Sequence, residues 1–134
     1  MARGFIPHSN SDGRVQPWEY LPATGSTKPD IGLALVLSGG KLVKASGTTK
    51  PAYICMTEAP AAVAAGTEIA VIKVEPDTVF ECENSASLED VGVGAKVTIH
   101  SDGLRVTGTT TDGVATIVAK DGDAIGSRVL VKFE

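Results

Sequence analysis

Reactive and metal-binding side chains are scarce in this chain. Its 134 residues include two cysteines, two histidines and six aromatics: one Trp, two Tyr and three Phe. Cys55 and Cys82 each sit in an apolar stretch, YICM and VFEC, and read as two reduced, buried small hydrophobes. A single bridge between them is compatible with the sequence, but it is not the disulfide-dense pattern of a small secreted domain. There is no CxxC, and His8 lies far from His100, so neither a metal nor another cofactor is expected. Lys and Arg number 12 against 16 Asp and Glu, a net charge of −4 with no polybasic run. Nucleic acid is therefore not expected as a partner, because phosphate binding depends on clustered cations. No apolar run approaches the roughly 20 residues of a membrane-spanning helix, so no membrane association is expected. The opening MARGFIPHSN has one Arg and no apolar stretch behind it, and does not read as a secretory signal.

Catalytic motifs are missing as well, and the expectation is a protein that is not an enzyme. His100-Ser101-Asp102-Gly103 holds a base beside a hydroxyl, but adjacent strand residues point to opposite faces. The stretch reads as a polar hairpin turn. Asp121-Gly122-Asp123 lacks the further oxygen ligands of a calcium loop. Ser38-Gly39-Gly40 lacks the GK[ST] of a phosphate loop. Glu81 and Glu83 share a strand face and read as a solvated edge that discourages aggregation.

What the chain does have is β-strand patterning. The length suits one domain that buries about two-thirds of its unfolded surface. From Ile31 onward, short β-branched runs alternate with Gly- and Asp-rich turns, for example LALVL, KLVKA, AYICMT, TEIAVIKV, AKVTI, VATIVA and SRVLVKF. In AKVTI, Ala95, Val97 and Ile99 face one way and Lys96 and Thr98 the other, the period of a half-buried strand. Residues 1–30 differ: Pro7, Pro17, Pro22 and Pro29 interrupt any period. This segment reads as an extended N-terminal arm on a β-rich body of residues 31–134. Three of the six aromatics, Phe5, Trp18 and Tyr20, lie in it. Exposed aromatics gain nothing in water but can bury about 150–250 Å² each on a partner. Phe5, Trp18, Tyr20 and Leu21 are therefore the expected anchors of the arm, with Pro17 and Pro22 pre-setting extended φ values. On this reading, removing residues 1–24 leaves the body folded. LPATG at Leu21–Gly25 matches a sortase signal, but such a signal works at the C-terminus, before an apolar span and a basic tail. Here the body follows it.

The body repeats itself weakly. Residues 31–74 and 91–134 both open on an apolar-Gly pair and close on a β-branched run, GTEIAVIKV or GSRVLVKF. Two copies are too few for a solenoid. The expected fold is all-β, a small β-barrel or β-sandwich with approximate internal duplication into lobes of about 31–74 and 91–134. Ile69 and Val71 alternate with Ala70, Ile72 and Val74, so both faces of that strand are apolar. Either the strand is fully buried or another subunit covers its outer face.

The passages GKLVKASGTTKPAYICM (Gly40–Met56) and GLRVTGTTTDGVATIVA (Gly103–Ala119) resemble bacteriophage head decoration, or capsid cement, proteins of the lambda type. Those proteins carry a similar strand, Gly-Thr-Thr turn and strand after a Pro-rich arm, and the likeness covers about half of the chain. It implies a structural virion protein on the outer surface of an icosahedral capsid, made in the host cytoplasm. It further implies a homotrimer whose arm lies on the major capsid protein and stabilises the shell. The residue pattern also fits a tail or fibre module, or a small carbohydrate- or peptide-binding β-domain.

Overall fold

The computed structural model describes residues 4–134, and among these it contains strands but no helix. In chain order the strands are β1 (Ile6–Ser9), β2 (Glu19–Pro22), β3 (Ala34–Ser38), β4 (Lys41–Lys44), β5 (Tyr53–Cys55), β6 (Glu68–Lys73), β7 (Val79–Asn84), β8 (Lys96–Val97), β9 (Arg105–Val106), β10 (Ala115–Lys120) and β11 (Arg128–Lys132). They form two sheets. The N-lobe sheet has the order β2-β6-β5-β3-β4, and all its ladders are antiparallel. The C-lobe sheet has the order β1-β7-β11-β10-β8, with β9 added to β7 in parallel. The fold is all-β and sandwich-like. Neither sheet forms a closed barrel.

The duplication is visible in the hydrogen bonds. β3 pairs β5 and β5 pairs β6, just as β8 pairs β10 and β10 pairs β11. β2 flanks β6 as β7 flanks β11. Ala23 meets Leu42 in a parallel bridge where Asn84 meets Val106. The Thr24 amide donates to the Leu42 carbonyl, and the Ser85 amide to the Val106 carbonyl. The turns Ala64–Thr67 and Ala124–Ser127 are equivalent. In them Gly66 and Gly126 both take φ 86°, and their amides donate to Ala23 and Asn84. Such a φ is open to Gly without the Cβ clash other residues meet. The repeat thus begins at β2 and β7. The expected lobe starts, 31 and 91, each fall after the first strand of their lobe, and β2, four residues with Pro22, shows no period.

Segment 4–30 is likewise not a separate extended arm. Pro7 and Pro22 lie in β1 and β2, at the ends of their sheet orders, where a missing N–H is tolerated. Phe5 is fully buried and stacks edge-on against Phe133 with ring centroids 5.2 Å apart. Its amide donates to the Gly32 carbonyl at 2.8 Å. That approach requires glycine: a Cβ on Gly32 would lie 2.6 Å from the Phe5 nitrogen.

The core has two parts. Leu35, Leu42, Cys55, Ile69 and Val71 cluster with Ala23 inside the N-lobe. Ala34, Ile54 and Ile72 point the other way, as strand alternation demands. They join a larger cluster with Phe5, Phe80, Val97, Ile99, Val106, Val129, Val131 and Phe133. The apolar outer face foreseen for TEIAVIKV is therefore covered by the other half of the same chain. A Gly47–Ile99 bridge, with bonds of 2.7 and 3.0 Å, stitches the lobes together. The two cysteines are unbonded and buried.

Phe5→Ala is expected to lower unfolding free energy by about 3–5 kcal/mol, measured by urea denaturation. Deleting residues 1–24 removes Phe5, β1, β2 and Ala23 together, so the truncated chain should lose its β-sheet circular dichroism. A truncated chain that unfolds cooperatively at the wild-type midpoint would restore the free-arm reading.

Candidate functional site

Between β1 and β2 the chain runs through Asn10-Ser11-Asp12-Gly13-Arg14-Val15-Gln16-Pro17-Trp18. Its first half is a turn that holds itself. The Asn10 side-chain amide donates to the Arg14 carbonyl at 2.7 Å, and the Arg14 amide donates to Asp12 at 3.3 Å. Short polar side chains and Gly are suited to such local bonding. The segment is fastened to the connection between the lobes, residues 74–78. Asp77 accepts from the Ser11 amide at 3.2 Å and from its hydroxyl at 2.5 Å. It also accepts from the two terminal guanidinium nitrogens of Arg14, Nη2 at 2.7 Å and Nη1 at 3.1 Å. Gln16 donates to the Lys73 carbonyl at 2.7 Å and accepts from the Thr78 hydroxyl.

This strap forms one wall of a groove of about 440 Å³. Met56 and Ile72 contribute apolar lining from the body, Pro7 and His8 contribute from β1, and Val15 and Trp18 come from the strap. The size lies within the range of ligand sites. Trp18 is 56% exposed, Tyr20 62% and Val15 93%. Trp18 and Tyr20 are two residues apart, and Tyr20 stands on β2 opposite Ala70.

The expected anchors divide accordingly. Trp18 and Tyr20 are exposed, and Pro17 is exposed beside them. Leu21 packs against the N-lobe core, and Pro22 is half-buried opposite Glu68. Phe5 is committed to the protein's own core and is no anchor, because no part of its side chain reaches the surface. Arg14, Val15 and Asp77 escaped the sequence reading. Val15 lacks any periodic neighbour, and the tie from Arg14 to Asp77 spans 63 positions.

Electrostatics reinforce the fastening. The Arg14 guanidinium, followed by the Ser11 bonds, holds the Asp77 carboxyl well below the usual carboxylate range. Asp77 first and Asp12 second push Arg14 further up. Arg14 also lowers Asp12. Burial pushes both thiols up, Cys82 far above the ordinary range, so neither is a ready thiolate at neutral pH.

The His100–Gly103 turn has a structural account. Asp102 takes the Leu104 amide at 2.9 Å and Arg105 Nε at 2.8 Å, and its own amide donates to His100 Nδ1 at 3.2 Å. Its carboxylate fixes the hairpin. Among the described residues no group of three or more His, Cys, Asp or Glu could hold a metal ion. No helix of the described residues is long and apolar enough to cross a membrane. No protein-family model matches the chain, and no curated protein matches it.

Because the folded pKa of Asp77 is depressed, its contribution is fully present above the unfolded value of about 3.9. That contribution is lost as pH falls through the folded value. Trp18 emission should therefore stay constant from about pH 9 to 5 and begin to shift only below about pH 4. In Asp77→Asn that step should be absent. An equal acid shift in the variant would detach Trp18 from the Asp77 contacts.

Proposed function

We propose that the protein is a non-enzymatic structural component of a phage virion, and that it binds the outer surface of an icosahedral capsid and stabilises it. The observation carrying this reading is the exposure of Trp18 and Tyr20, two positions apart on a folded segment. All three Phe are buried in the core, so the fold accounts for those aromatics. It does not account for these two. An aromatic pair with an apolar body and a polar tip is the kind of side chain enriched at protein interfaces.

The resemblance to lambda-type decoration proteins lends support from a second direction. Its two passages fall on equivalent parts of the two lobes, β4–β5 and β9–β10. The contact with the major capsid protein is then made by a preformed loop and strand and not by a free arm. Preorganisation of this kind removes most of the entropy cost of ordering an arm on the shell. A homotrimer on the capsid would multiply the contact, since linked sites raise effective concentration. A carbohydrate- or peptide-binding β-domain is the second reading, favoured by the groove that Trp18 lines.

Trp18→Ala and Tyr20→Ala should each weaken binding to purified expanded shells at least about tenfold. Their unfolding midpoints should change little, because both side chains are exposed. Trp18 is the chain's one tryptophan, so its emission should shift to the blue when shells are added. Variants that co-sediment as tightly as wild type would overturn the capsid reading, and a glycan- or peptide-array hit lost in Trp18→Ala would favour the second.

A further inference from the structure

We propose that residues 10–18 form a releasable strap, fastened chiefly at Asp77, whose release opens the groove lined by Met56 and Ile72 and frees Trp18 while the sheets stay intact. The placement of its contacts carries this. Among the described residues, the strap's side-chain hydrogen bonds to the rest of the protein reach only residues 73–78. A single carboxylate, Asp77, accepts bonds from both Ser11 and Arg14, and Gln16 supplies the secondary tie. Apolar holding is slight, since Val15 is almost fully exposed and Trp18 more than half. Exposed ion pairs are weak and screened by salt. The strap's two ends, by contrast, are well held. β1 is laddered to β7, and β2 to β6. Phe5 anchors the chain before β1 and Ala23 the chain after β2. The weakest fastening thus lies between two strong ones, which is the arrangement for local opening without global unfolding. The open state presents an apolar floor and a mobile tryptophan. The closed state presents Trp18 in one place beside a walled groove. The consequence for shell binding rests on the capsid reading above, but the strap's opening does not.

Trypsin reads the fastening directly. Its specificity pocket requires the Arg14 side chain, which Asp77 and Asp12 hold in the closed state. The following residue, Val15, is already exposed. Cleavage after Arg14 in the full-length native protein should therefore track the open population. Asp77→Ala should accelerate it about tenfold, with cleavage after Arg105 and Lys120 in the body unchanged. Raising NaCl should accelerate it in the wild type, after correction with a free Arg peptide, and not in Asp77→Ala. An unchanged rate in Asp77→Ala would overturn the proposal. Equal acceleration at the body sites would also overturn it, because Asp77 would then be holding the lobes together and not the strap. Shell binding by the same proteins separates the two readings. Wild type that fails to bind shells refutes the capsid role and leaves a positive trypsin result standing.

Discussion

Burial of the outer face of the N-lobe sheet against the C-lobe is the constraint from which the rest of the structure follows. Ala34, Ile54 and Ile72 form one cross-strand row through β3, β5 and β6. They are all but inaccessible, packed in the cluster that contains the Phe5–Phe133–Phe80 stack. Left in water, this row would cost roughly 25 cal/mol for each Å² of apolar surface. Covering it makes two weakly similar halves into one domain and draws Phe5 into the seam. With Phe5 fixed, β1 is placed on the C-lobe sheet and β2 on the N-lobe sheet, and the chain between them must cross from one to the other. The strap and its groove are the product of that crossing.

The duplication covers the shared orders β2-β6-β5-β3 and β7-β11-β10-β8 and is broken in chemistry where the lobes meet. The row equivalent to Ala34–Ile54–Ile72 in the C-lobe is Lys96–Thr116–Lys132. One outer face is covered and apolar, and its twin is polar, with Lys96 exposed and Thr116 and Lys132 half-buried. A symmetric pair of apolar faces would have left one exposed and prone to association. The same asymmetry appears at Ala23 and Asn84. Ala23 fills a tight apolar position. Asn84 instead ties down the β10–β11 turn by donating to the Ala124 carbonyl, and also donates to the Ala86 carbonyl two residues on, both at 2.9 Å.

The two-sided apolar run TEIAVIKV disclosed β6 and its two-sided burial, whereas AKVTI disclosed β8 only in part, since the strand is Lys96–Val97 and Thr98 is buried as well. Trp18 and Tyr20 were legible for a different reason: a chain poor in aromatics has few to place outside its core. The neighbouring Phe5 was not, since nothing local separates a core phenylalanine from a surface one in a Pro-rich stretch. β1 and β2 were invisible because four residues, one of them proline, carry no usable period. The fastening of the strap depends on Asp77, which sits in a Glu-Pro-Asp turn that reads as ordinary connection.

The amino-acid sequence by itself determined the all-β class, the strands after Ile31, the presence of a repeat and an aromatic pair that the core does not need. Each rests on composition or on short-range periodicity, which a linear reading can detect. Tertiary structure alone decided that the apolar outer face is covered from within the same chain, that residues 4–30 give one strand to each sheet, and that Arg14 meets Asp77 beside a groove. Those outcomes join residues tens of positions apart, and only the packing of one lobe on the other brings them together.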